Sequence, residues 1–333
     1  MKKQIAALTL ATTLGLSIQP IVSSAETAQN TQATQQSDWV KEETGTWFFY
    51  ENGAKKTGWL ALEGKWYYLD PNAGGAMKLG WAQVEGKWYY LNGNDGGAMK
   101  IGWEKVDGKW YYLDGNNGGA MKTGWLQENG KWYYLDGNDG GAMKTGWFQE
   151  NGKWYYLNAN DGGAMKTGWE KVDGKWYYLD GNDGGAMRTG WFQENDQWYY
   201  LDANNGGAMV NGWNRIDGKM NYFKDNGQWI NTRELTVTST AYTNDPAENG
   251  YRPGEHVKTA MGDDLTANPN LKVIAVDPSV IRLGSKVYVE GYGPAEARDT
   301  GSAIKGNKID VFTPSKQEAS NWERKTVKIY VLP

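Results

Sequence analysis

The chain has no cysteine, which excludes disulfides and thiolate-held metal sites. It has one histidine, His256, in a polar loop. No Ser/His/Asp triad or histidine-based metal cluster can be assembled around it, so no metal and no cofactor is expected. A net charge of −4 supplies no basic surface for a nucleic-acid partner. Aliphatic residues are few and there are only 6 Phe, so the 333 residues cannot share one large aliphatic core. Long apolar runs are missing except for "IAALTLATTLGLSI" behind Lys2 and Lys3. With Ser23 and Ala25 following, that run reads as a signal peptide, residues 1–25, cleaved after Ala25. It is too short to span a membrane comfortably, so a secreted chain with no membrane span after cleavage is expected. Residues 26–37 are rich in Thr and Gln and read as a disordered lead-in.

What the chain has in abundance is Trp, Tyr and Gly: 19, 21 and 45 residues. They are periodic. Gly-Trp pairs end at Trp59, Trp81, Trp103, Trp125, Trp147, Trp169, Trp191 and Trp213, a strict 22-residue spacing. A second Trp follows seven residues later at Trp66, Trp88, Trp110, Trp132, Trp154, Trp176 and Trp198, with Met220 in the eighth unit. A degenerate unit with Trp39 and Trp47 precedes them. Such a period signals a solenoid of stacked units, here over 38–232. Within a unit, "TGWFQ" and "KWYYL" are strand-like and "ENG" tolerates positive φ, which predicts a β-hairpin. The "NANDGG" stretch reads as a loop to the next hairpin. The "DGNDGG" loops fail the EF-hand template: Gly140 comes one residue early after Asp136, and Trp147 stands where Glu is needed. An Asx/Gly turn is the better reading. A lone hairpin is marginal, so stacking must bury many of these rings. Rings also offer faces to sugars and cations, which aliphatic packing would not.

The pattern "GW-x4-GKWYYL-x5-GAMxTGW" resembles the cell-wall-binding repeat of the choline-binding family. The resemblance implies ligand sites between neighbouring hairpins, with two Trp from one unit and a Tyr from the next. By position these are Trp59, Trp66 and Tyr89; Trp81, Trp88 and Tyr111; and Trp103, Trp110 and Tyr133. Three more follow: Trp125, Trp132 and Tyr155; Trp147, Trp154 and Tyr177; and Trp169, Trp176 and Tyr199. The pair Trp191 and Trp198 meets Asn221 instead of Tyr and is expected to be weak or empty. The implied partner is a wall polymer, choline-bearing or another glycan.

Beyond 232 the composition changes: only Trp322 remains, and Val, Ile and Pro appear. Short β-type runs ("ELTVTSTAYT", "KVIAVDP", "SKVYVEGYG", "AEARDTG", "KIDVFT", "KTVKIYVL") and one helical stretch, "SKQEASNWE", predict a small closed barrel over 233–333. Asp277, Asp299 and Asp310 lie in or at the ends of these runs. A half-buried carboxyl there can act as an acid near neutral pH, although capping a turn is the commoner fate of an Asp before Pro or Thr-Gly. The set of runs closely resembles the three-aspartate domain of bacterial wall-acting proteins. That family implies a double-psi β-barrel, related to the catalytic barrel of lytic transglycosylases and to resuscitation-promoting factors. "DTGSAIKG" followed by a second Asp matches the transglycosylase pattern, with Asp299 and Asp310 keeping its eleven-residue interval. By that match Asp310 is the catalytic acid, Asp299 and Asp277 orient it or stabilise charge, and Tyr242 and Lys305 line the groove. Ser302 and Arg282 depart from the family, where Gly and Pro are usual. The expectation is therefore an all-β protein that binds the wall and cleaves peptidoglycan glycan strands by transglycosylation or glycoside hydrolysis. The alternative is a non-catalytic surface or toxin-like protein that only recognises glycan.

Overall fold

The computed structural model describes residues 37–333; the expected signal peptide, and the lead-in except for Ser37, lie outside the described residues. Two compact units result, one ending at Lys100 and one running from Ile101 to Pro333. Among the described residues every element is β apart from short 3₁₀ turns and one helix, Lys316–Trp322, capped by Ser315.

Each repeat is a hairpin with an addition that the sequence did not predict. In the repeat at 146–165, strands Gly146–Glu150 and Lys153–Asn158 pair in register, Trp147 opposite Tyr156 and Gln149 opposite Trp154. The turn residues Asn151 and Gly152 both have positive φ (50° and 79°), the geometry that matches hairpin twist. Past the second strand, Asn158 caps a 3₁₀ turn over Ala159–Asp161, its side chain accepting from the amide of Asn160. A third strand of two residues, Ala164–Met165, then pairs back on Leu157 and Asn158. The reading of this stretch as a plain loop misses that strand. Two residues are too few to show a period.

One leucine per repeat forms the core. Leu69, Leu91, Leu113, Leu135, Leu157, Leu179 and Leu201 are all 0% exposed. The glycine pair in each loop makes room for the neighbour. A Cβ on Gly207 would lie 2.5 Å from Cε of Met187, and φ there is +84°. Charges on the rim add a ladder between repeats: Lys65 to Asp95 (2.7 Å), Lys109 to Asp139 (2.6 Å), Lys131 to Asp161 (2.7 Å) and Lys153 to Asp183 (2.5 Å). These pairs are exposed, and each is worth a fraction of ~1 kcal/mol.

From Arg233 the chain forms a closed six-stranded barrel. Its strands are β1 (Arg233–Tyr242), β2 (Val273–Ala275), β3 (Lys286–Val289), β4 (Gly293–Asp299), β5 (Lys308–Phe312) and β6 (Lys325–Val331). Their order is β1-β5-β2-β4-β3-β6, with β1–β5 and β2–β4 parallel and the other pairs antiparallel. Alternation sends Val237, Ile274, Val287, Ile309, Val311 and Ile329 into the barrel core. A second small core of Val257, Leu265, Val273 and Phe312 lies beneath the excursion between β1 and β2, with Tyr242 and Tyr251 packed against it.

The last repeat abuts this barrel. Trp213 packs 5.7 Å from Tyr288, and Arg215 makes a bidentate pair with Glu290 (2.8 Å to each oxygen).

Candidate wall-binding cages and barrel carboxylates

The hairpin register puts the two Trp of a repeat on neighbouring strands, and stacking brings in the next repeat's Tyr. Trp59 meets Trp66 at 6.4 Å and Tyr89 at 4.8 Å between ring centroids. Trp103 and Tyr133 are 5.0 Å apart. Trp125 lies 6.3 Å from Trp132 and 5.0 Å from Tyr155. Trp147 lies 4.8 Å from Tyr177, and Trp169 lies 6.5 Å from Trp176 and 5.0 Å from Tyr199. Trp81 and Trp88 stand on the strands Gly80–Val84 and Lys87–Asn92 of the first unit, and Tyr111 on the strand Lys109–Asp114 of the second. The second Trp of each repeat stays open to water: Trp110, Trp132, Trp154, Trp176 and Trp198 are 41–42% exposed. Around Trp147, Trp154 and Tyr177 there is a cavity of about 490 Å³, floored by Met187, Gly206 and Gly207. Its walls carry no charged side chain.

Two further ring sites escaped the sequence reading. Trp39 and Trp47 of the degenerate unit join Tyr67, which lies 5.2 Å from Trp39, around a cavity of about 340 Å³. The signal was present, since Trp39 and Trp47 hold the register of Trp59 and Trp66, opposite Phe49 and Lys41. At the other end, Asn221 does replace Tyr beside Trp191, but the position is not bare. Trp229 stands edge-on to Trp191 at 5.8 Å, and its indole N–H donates to Asn221 Oδ1 at 3.0 Å. No 22-residue period reaches Trp229, so spacing could not reveal it.

Five of the repeats show one of two grammars at the first strand. In Gly124–Glu128, Gly146–Glu150 and Gly190–Glu194, a large apolar residue (Leu126, Phe148, Phe192) is buried and a Glu follows two residues later. In Gly102–Val106 and Gly168–Val172 the two exchange: Glu104 and Glu170 come first and Val106 and Val172 are buried. The Glu of the first grammar reaches back to the preceding repeat. Glu150 accepts from Trp125 Nε1 (2.5 Å) and from the Tyr134 hydroxyl (2.8 Å). Glu194 does the same for Trp169 (2.6 Å) and Tyr178 (3.0 Å). The bond to Glu150, with burial, pushes the Tyr134 phenol up to about 12.

In the barrel, two of the three expected aspartates fall into one row. Asp310 pairs with Thr240 on β1 and with Ala275 on β2, and Ala275 pairs with Asp299 on β4. The two carboxylates thus flank one small residue across a single strand, with their Cα atoms about 10 Å apart by ladder spacing. Asp299 accepts from the amides of Ala260 (2.9 Å) and Thr300 (2.8 Å) and from the Tyr242 hydroxyl (3.0 Å). Burial, and then the charge of Asp299, hold the Tyr242 phenol protonated far above its usual range. Asp310 differs. Its Oδ1 is buried with no hydrogen-bond partner, and burial raises its carboxyl above the usual range, with Thr240 and Lys308 opposing. Asp277 lies outside the row. It accepts from the amides of Gly306 (2.8 Å) and Ser279 (3.0 Å) and from the Ser279 hydroxyl (2.7 Å), which pull its carboxyl down to about 2. That is a turn-capping carboxylate. It pins the segment between β4 and β5, on which Ser302 and Lys305 are exposed. Arg282 lines a separate cavity with Arg233 and Ser285, away from the row. His256 pairs with Asp264 at 2.7 Å and takes no part. No cluster of three or more His, Asp or Glu among the described residues could hold a metal ion.

The choline-binding repeat family matches residues 78–125, 100–147, 122–167 and 166–213, and a cell wall binding repeat matches 57–72. The 3D domain family matches residues 272–333. The chain carries choline-binding repeats followed by a 3D domain. Such repeats mark a secreted, cell-wall-associated protein. No helix among the described residues is long and apolar enough to cross a membrane. The chain is 66% identical over 102 residues to the cell wall-binding protein YocH of Bacillus subtilis (strain 168), and 61% identical over 98 residues to YabE of the same strain. These matches span 33% and 23% of the two relatives' lengths and about 30% of this chain. Among solved structures it is similar to choline binding protein F from Streptococcus pneumoniae, determined in the presence of a peptidoglycan analogue. The identity there is 42% over 55% of this chain and 61% of that one, with a TM-score of 0.48. The family matches speak for wall binding; they do not extend to the glycan cleavage expected from the sequence.

Proposed function

We propose that the repeats anchor this protein to cell-wall polymer through their aromatic cages and present the 3D domain to peptidoglycan. The observation that carries this reading is one geometry repeated along the chain: a first Trp 4.8–5.0 Å from the next repeat's Tyr, with a second Trp open to solvent. Weak sites in series give avidity that no single cage needs to supply. The test is co-sedimentation of the full chain with purified walls. Wild type should pellet, and the triple variant Trp132→Ala, Trp154→Ala, Trp176→Ala should stay in solution. A wild type that stays in the supernatant would remove the anchoring function.

A second reading gives the barrel a reaction, and Asp310 favours it. Six strands with two parallel pairs suit a double-psi barrel, and we place its domain at 233–333 behind repeats at 38–232. A lone protonated carboxyl can donate its proton to a glycosidic oxygen, breaking the C1–O bond and releasing the next sugar as an alcohol. The same carboxylate would then take the proton of the muramic acid's 6-hydroxyl as that oxygen attacks C1, closing a 1,6-anhydro ring. No water is consumed. Asp299, fixed by three donors across Ala275, would stabilise positive charge at C1, while Asp277 acts only through the segment it pins. A hydrolase would instead use the second carboxylate on water. Wall zymography of wild type beside Asp310→Asn tests the reaction, and product mass separates anhydro from hydrolysed ends. Absence of lysis by wild type would leave a barrel that recognises glycan without cutting it.

A further inference from the structure

Glu150 and Glu194 each spend both oxygens on rings of the preceding repeat, and neither forms an ion pair with any Lys or Arg among the described residues. Both are half-buried. Each acceptor bond is made to the indole N–H of a first Trp, the ring that walls a cage: Trp125 with Trp132 and Tyr155, and Trp169 with Trp176 and Tyr199. A carboxylate on that N–H pushes electron density into the indole and adds negative potential one ring away from the cage. Both effects strengthen attraction for a cation on the ring face. The Trp147 cage lacks this device. Twenty-five residues on from Trp147 stands Val172, and the nearby Glu170 contacts Asn158 instead.

We propose that Glu150 and Glu194 divide the cages into two classes, and that the cages of Trp125 and Trp169 select a quaternary ammonium group whose charge answers the unpaired carboxylate. The Trp147 cage then discriminates little between such a cation and a neutral group of the same shape. This rests on the cages being the wall-binding sites. It adds which of them read charge and which residue makes them do so.

The experiment uses the full chain and two probes of equal shape, choline and its uncharged carbon isostere 3,3-dimethylbutan-1-ol, titrated by intrinsic Trp fluorescence and calorimetry. Wild type should bind choline more tightly than the isostere. In Glu150→Gln with Glu194→Gln, where the amide oxygen can still accept from the indole and the amide NH2 can donate to the tyrosine hydroxyl, choline affinity at two sites should fall roughly fivefold while the isostere is unaffected. The reverse variant, Glu170→Leu with Val172→Glu, gives the 168–172 strand the grammar of 124–128 and should raise choline affinity at the Trp147 cage. Circular dichroism of each variant should match wild type. Equal losses for both probes would mean that the glutamates only hold the rings in place, and unchanged choline binding in both variants would likewise overturn the proposal. Wall co-sedimentation is run alongside. A wild type that pellets but shows no preference for choline overturns only the charge reading, whereas one that does not pellet overturns the anchoring function and this inference with it.

Discussion

Phe148→Ala would strike the contact on which stacking depends. Phe148 is 5% exposed, with its ring 4.6 Å from Tyr134, 5.5 Å from Trp125 and 5.4 Å from Tyr155, on which it stacks. Truncating a buried Phe costs about 3–5 kcal/mol. The lower end applies here, because Leu157 remains fully buried beneath it. About 3 kcal/mol is more than a hundredfold in the opening equilibrium of this repeat. Since repeats contact mainly their neighbours, the loss should be local. Hydrogen exchange of amides in 124–165, read by mass spectrometry, measures it directly. The informative partner is Phe148→Glu with Glu150→Val, which copies the second grammar seen at Glu170 and Val172. It returns an apolar side chain to the interface and gives up two hydrogen bonds, for a net loss of about 1–2 kcal/mol. Should the double exchange open as readily as Phe148→Ala, the two positions are not interchangeable and the two-grammar account is wrong.

Asp310→Asn should reduce wall lysis, where wild type shows it, by at least about 100-fold, since the amide cannot donate the proton. It should also change the pH dependence of stability. Burial raises the folded carboxyl, so the unfolded chain loses its proton first, near pH ~3.9, and wild type loses stability as pH rises from there until the folded group ionises. Asp310→Asn should lack that decline in thermal unfolding of the barrel; an identical profile would refute the burial argument. Asp277 has the opposite sign: with its carboxyl held at about 2, its contribution is present above pH ~3.9 and disappears as pH falls toward 2, and Asp277→Asn should flatten that acid limb. Trp229→Ala should weaken choline or wall binding about as much as Tyr199→Ala, and no effect would mean that Trp229 only packs against Trp191. Asp196 holds φ of 60° where the other hairpin turns place Gly, so Asp196→Gly should stabilise its repeat by about 0.5–1 kcal/mol, measured by urea unfolding.

Much of this was legible because the chain repeats itself. The Gly-Trp spacing and the "ENG" turn give the hairpins, and the Tyr of the following repeat arrives where alternation puts it. The third strand was hidden because Ala164–Met165 is held by pairing to Leu157, a tertiary contact without a local pattern. Trp229 was missed because it lies outside the period. In the barrel, the β-runs were readable, but their order was not: nothing local announces that β5 lies between β1 and β2. That order is what separates the three aspartates. From sequence they look alike, each an Asp in or at the end of a β-type run. Pairing puts Asp299 and Asp310 on either side of Ala275, while the turn before Ser279 claims Asp277.

Because each cage takes two rings from one repeat and the third from the next, a repeat is never a site by itself. Inserting or deleting 22 residues at a seam within either unit restores the same junction on both sides, so the number of cages can change by one without redesign of any other. Only the two ends need special provision, since each exposes half a cage. There the chain departs from its own period: at one end a worn copy supplies Trp39 and Trp47, and at the other Trp229 arrives from beyond the last hairpin. The number of cages in this architecture is a matter of copy number, whereas the terminal rings are single parts whose loss no duplication of an inner repeat can repair.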